Sequence, residues 1–258
     1  MTCKNCGGTG KIVVIGSFTT PCTNCSASKP VSGDTDFLSV KGAQAFLAMF
    51  GFQNDAFLVI EKEGTPSMAY NLAKHRGRPC DRTRAVICSK IRGNDHLDSA
   101  YYAFRYARDV DQNPRDDTRE AACLHPSWGT LYARNIDKHP RDDTRSAACK
   151  DPWWAIEYAL QVDKGPLPFT RRAASKTPET ALRYAEKVDQ RPHYVTRQGA
   201  CSDPSSALKY ALDIDQGHHP LTWKTLADDI DLQIRYRAQV LNETADQVRV
   251  YLQSLEES

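Results

Sequence analysis

Self-similarity at a spacing of 26 residues constrains this chain more than any other feature. Tyr106-Ala107 recurs as Tyr132-Ala133, Tyr158-Ala159, Tyr184-Ala185 and Tyr210-Ala211. Three positions after each Ala comes Val110, Ile136, Val162, Val188 or Ile214, and then always Asp: Asp111, Asp137, Asp163, Asp189 and Asp215. Pro114, Pro140, Pro166 and Pro192 keep step, as do Thr118, Thr144, Thr170, Thr196 and Thr222. Arg119, Arg145, Arg171 and Arg197 follow the first four threonines, and each unit ends on small residues with Cys123, Cys149, Ser175 or Cys201. In KDPWWAIEYALQVD, Asp151 suits an N-cap and Pro152 the first helical position, where a missing N–H costs nothing. Ile156, Ala159 and Val162 recur at helical spacing, with Trp153, Ala155 and Tyr158 widening the apolar stripe. A break at KGP separates this helix from a shorter one, equivalent to 142–149 in the preceding unit. One such helical hairpin cannot bury its own apolar face, so several must stack.

The array begins earlier in degenerate form. Pro66, Ala69, Tyr70, Pro79, Thr83, Arg84 and Cys88 fit the template with one or two slips, before a nine-residue insertion around IRGNDHLDS. At the other end Trp223 replaces the Arg, the pattern is expected to stop, and 225–255 reads as two capping helices with a turn near Asn242-Glu243. The expected fold is therefore mainly α: an α-solenoid of about six hairpins with a small N-terminal zinc ribbon or knuckle. Its parts are a knuckle over 1–30, a linker and N-terminal cap over 31–64, the array over 65–223 and capping helices over 224–258. On its Asp-Pro, Tyr-Ala and Thr-Arg-x-Ala-Ala words the unit is similar to short α-hairpin families such as the leucine-rich-repeat variant. That resemblance implies a solenoid and a binding role.

Nine cysteines point to a reducing compartment with one metal site. Cys3-x2-Cys6 and Cys22-x2-Cys25, fifteen residues apart, can close a tetrahedral shell of four thiolates around one structural Zn2+, with no open position for substrate. An iron–sulfur cluster would use the same ligands. Between the pairs, KIVVIGSF is β-branched enough for one strand of a hairpin. Cys3-Lys4-Asn5-Cys6-Gly7-Gly8-Thr9-Gly10 resembles the CxxCxGxG knuckle of the DnaJ-type zinc-finger domain. That family carries four knuckles and two zincs. Here Cys25 is followed by SASKP, so the resemblance implies one zinc and no chaperone activity.

The first 92 residues hold twice as many Lys and Arg as Asp and Glu, whereas the remainder is mildly acidic. Seven cations crowd between 74 and 92 against Asp81 alone: Lys74, Arg76, Arg78, Arg82, Arg84, Lys90 and Arg92. With the knuckle they could form a phosphate-binding surface, although no Phe or Tyr is interleaved for base stacking. The Asp and Arg ladders are nearly constant between units, which suits pairing between adjacent hairpins better than a base-reading code. Likewise the tyrosines and repeat cysteines suit the core, and His218-His219 a solvated loop. No P-loop, dinucleotide fingerprint, serine elbow or His-Glu-x-x-His motif occurs. No run of eighteen apolar residues and no secretory leader is seen, so a cytoplasmic, non-membrane protein is expected.

These features predict a non-enzymatic adaptor or inhibitor that binds a protein partner, with no small-molecule substrate. Trp128, Trp153 and Trp154 are expected as exposed anchors of its interface. Compact zinc-knuckle adaptors of this kind resemble accessory proteins of bacteria and their phages, including inhibitors of host machinery. The alternative is a nucleic-acid-binding module that uses 74–92 and the knuckle.

Overall fold

The computed structural model describes residues 11–15, 18–21, 64–89 and 96–256. The described part is mainly helical, with many short helices. Near the N-terminus, strand β1 (Lys11–Ile15) pairs antiparallel with β2 (Phe18–Pro21), placing Lys11 opposite Pro21. KIVVIGSF is thus not a single strand: it holds all of β1 and the first residue of β2. The helices fall into two compact units that divide between Leu124 and His125.

In the second unit the 26-residue repeat becomes a row of hairpins. The long helices Pro126–Tyr132, Pro152–Tyr158, Pro178–Tyr184 and Pro204–Lys209 each run on into a π turn, the first three ending it at Asp137, Asp163 and Asp189 and the last at Asp215. Their starts are chemically set. Asp151 accepts from the N–H groups of Trp153 and Trp154, Thr177 from Thr180 and Asp203 from Ser206, with Pro next in the chain. Their ends are geometric. Lys138, Lys164, Gln190 and Gln216 adopt left-handed φ of 51–61°, which stops the helix and turns the chain. The short helices Asp142–Ala148, Pro168–Ala174, Tyr194–Ala200 and Pro220–Thr225 follow.

Packing is a relay of small clusters. Tyr158 and Val162 sit on Ala133 and Ala148 of the hairpin before, Tyr184 and Val188 on Ala159 and Ala174, and Tyr210 on Ala185 and Ala200. The alanines have to be small because a whole phenol ring lies over them. Gly199 carries this furthest: a Cβ there would meet the Ser175 carbonyl oxygen at 2.6 Å and Ala181 Cβ at 2.9 Å. Gly199→Ala is therefore expected to cost about 1–3 kcal/mol, despite alanine's better helix propensity. A thermal midpoint at or above that of the parent would show that the close approach is not real.

The tyrosine ladder continues one step beyond the expected stop. Tyr236, on the helix Ile230–Gln239, is fully buried, and Asn242 repeats the left-handed turn with φ 56°. What changes at this junction is the charge pair. Trp223 stands where Arg is expected and Leu241 where Asp is expected, and both pack on the Tyr236 cluster. The helix Ala245–Glu256 ends the described chain.

The first unit holds the degenerate copy, with helices Pro66–Arg76, Asp81–Cys88, His96–Tyr106 and Asp116–Ala122. Arg84 still finds Asp111, 27 residues on where the regular spacing is 18, so the pair is kept across the longer separation.

Candidate binding face

The repeated polar groups are consumed within the scaffold. Arg145, on one hairpin's short helix, holds Asp163 at the end of the next long helix through Nε at 3.2 Å and Nη2 at 2.8 Å. Arg171–Asp189 and Arg197–Asp215 repeat that fork, with carboxylates only 1% and 6% exposed. The hydroxyls of Tyr158, Tyr184 and Tyr210 each accept from the backbone N–H of the N-cap residue that opens the preceding short helix and share a bond with its Thr. Tyr158 meets Arg141 N at 3.0 Å and Thr144 Oγ1 at 2.8 Å. Tyr184 meets Leu167 N and Thr170, and Tyr210 meets His193 N and Thr196. The phenol thus caps an N–H that a helix start leaves without a partner. Burial raises the pKa of Tyr158, Tyr184 and Tyr210, which keeps them protonated.

Other candidate chemistry is similarly tied up. Cys149 and Cys201 are half-buried, and burial pushes their thiols above the usual range, away from the nucleophilic thiolate. His218 faces the Tyr236 hydroxyl at 3.2 Å, and His219 Nδ1 accepts from the Leu221 N–H. Among the described residues, no group of three or more His, Cys, Asp or Glu side chains could hold a metal ion. No described helix is long and apolar enough to cross a membrane.

The expected site residues are dispersed. Cys3, Cys6, Cys22, Cys25, Lys90 and Arg92 lie outside the described residues. Lys74, Arg78 and Arg82 are exposed and Arg76 is half-buried. Arg84 is 3% exposed and bound to Asp111 and Asp81, so it does not present its charge to a phosphate. Trp153 is 40% exposed under the Arg183 guanidinium, at 4.8 Å, while Trp128 and Trp154 are half-buried.

The start of the short helix also differs between hairpins. Asp116-Asp117 and Asp142-Asp143 give way to Pro168-Phe169, Tyr194-Val195 and Pro220-Leu221. Phe169 is 74% exposed and Tyr194 63%. Phe169 stands between two surface hollows. One, of about 470 Å³, is lined by Asp142, Arg145, Ser146, Cys149 and Phe169. The other, of about 410 Å³, is lined by Cys149, Pro168, Phe169, Arg172, Ala173 and Lys176. This variable pair is not among the site residues expected from the sequence. Its signal was available: apolar residues at two adjacent positions where the earlier copies carry aspartate.

No family model matches the chain, and no match is found among curated proteins or solved structures.

Proposed function

We propose that this chain is a non-enzymatic protein-binding adaptor or inhibitor, built as an α-solenoid, whose short-helix face around Phe169 and Tyr194 recognises a partner protein. The observation that carries the reading is the division of labour within the repeat. Constant Arg, Asp, Tyr and Thr residues satisfy one another inside the scaffold, whereas the varying positions include the exposed aromatics Phe169 and Tyr194. Repeat scaffolds bind through the positions their packing leaves free, and an exposed aromatic beside a hollow suits a protein interface. The test is retention of partners from an extract of the source cells by the immobilised chain and by a Phe169→Ala, Tyr194→Ala variant. Both side chains are exposed, so the variant is expected to keep the parent's thermal midpoint and to lose at least one retained protein. Identical retention by the two chains would refute the assignment of this face.

The four N-terminal cysteines are proposed to hold one structural zinc. Their two-pair spacing supports this, as does a hairpin that closes with Lys11 opposite Pro21, the chain neighbour of Cys22. Elemental analysis is expected to give about one zinc per chain, lost in Cys22→Ser; iron in its place, or no metal, would contradict it.

A further inference from the structure

We propose that the hollow beside Phe169 docks an acidic segment of a partner protein, which places an apolar side chain in the hollow and its carboxylates on Arg172 and Lys176. The inference rests on the protein-binding reading above and names the partner's chemistry. Three observations carry it. First, the walls that Cys149, Pro168, Phe169 and Ala173 supply are apolar, and no carboxylate is among the residues lining this hollow. Second, the two cations at its edge are available. Arg172 and Lys176 are exposed, and their side chains make no hydrogen bond or ion pair with the described residues. That sets them apart from Arg171, one position earlier, whose guanidinium is spent on Asp189. Third, the adjoining hollow is different in charge: its Asp142 is fully exposed and shares Arg145 with the buried Asp163, so that side keeps a net negative charge. Arg172 and Lys176 are left as uncompensated positive charge next to an exposed aromatic ring.

The preceding short helix sharpens the selectivity. It begins with Asp142 and Asp143, both exposed, where the Phe169 helix begins with Pro168 and Phe169. An acidic segment laid along this face is repelled at Asp142-Asp143 and attracted at Arg172 and Lys176, which fixes where it settles. Burial holds the Cys149 thiol neutral, so it serves the hollow as a soft apolar wall.

The test measures fluorescence anisotropy of a short fluorescein-labelled peptide, with leucine anchors flanked by glutamates, against the full chain. A counterpart with lysine at every glutamate serves as control. The acidic peptide is expected to bind and the basic one not. Affinity is expected to fall about tenfold or more in Arg172→Glu, Lys176→Glu, and similarly in Phe169→Ala. All three positions are at the surface, and unchanged far-ultraviolet circular dichroism confirms that the variants fold. Absence of binding by the acidic peptide overturns the proposal, as does binding that survives charge reversal. Displacement by a single-stranded oligonucleotide at equal potency also overturns it, since the site would then read charge and not a peptide. If the acidic peptide fails while Phe169→Ala, Tyr194→Ala still loses a retained protein, the protein-binding reading stands and only the partner's charge is wrong.

Discussion

Replacing Asp189 with alanine is expected to destabilise the second unit by about 3–5 kcal/mol, the usual cost of leaving one member of a buried ion pair alone. The Asp189 carboxylate is 1% exposed and takes both Nε and Nη2 of Arg171, so its removal strands a guanidinium that is itself only 11% exposed. An exposed pair would cost under about 1 kcal/mol. The chain carries the control within itself. At the last junction the same two positions are occupied by Trp223 and Leu241, which pack on Tyr236. The double variant Arg171→Trp, Asp189→Leu is therefore expected to recover most of the loss, because two apolar groups replace two charges that no longer need to be desolvated. Urea denaturation of the single and double variants measures both values. If the double variant were no more stable than Asp189→Ala, the junction at Trp223 would not be interchangeable with the ionic ones.

The second large effect is at the tyrosine ladder. Tyr184→Ala is expected to cost about 3–5 kcal/mol, since the ring is fully buried and its removal opens a void over Ala159 and Ala174. Tyr184→Phe separates the hydroxyl from the ring. It leaves the Leu167 N–H and the Thr170 hydroxyl without the phenol oxygen, at 3.2 and 2.8 Å, and is expected to cost about 1–3 kcal/mol. Because each cluster joins one hairpin to its neighbour, hydrogen exchange in Tyr184→Ala is expected to speed up most on the two flanking hairpins, 152–174 and 178–200. Uniform acceleration across the whole second unit would indicate a single cooperative core instead.

Much of this architecture is legible because its determinants are local and repeated. Asp151 before Pro152 announces a helix start, and the structure uses that carboxylate as the cap. Tyr, Ala and Val at helical spacing declare one buried stripe, and the pairing of Arg with Asp follows from their constancy. Other features depend on distance. The π turn at Ala159–Asp163 and the left-handed Lys164 leave no signature in composition, because lysine rarely takes positive φ unless the surrounding packing demands it. The persistence of the ladder at Tyr236 was hidden by the loss of its charged companions, although the spacing was intact.

The basic segment makes the same point from the opposite side. Seven cations in a row of residues suggest one charged surface, yet Arg84 is turned inward by Asp111, a partner 27 residues away that no local reading supplies. Conversely, Phe169, Arg172 and Lys176 mean little as letters. They gather around one hollow only because the Pro168–Ala174 helix is laid beside Cys149 of the helix before it. The sequence by itself determined the repeating unit, its helix starts and its buried stripe, all of which are set by covalent neighbours within a few turns. Only the tertiary structure decided which charges were consumed and which were left facing solvent, because neutralisation and burial depend on groups that the chain brings together from far apart.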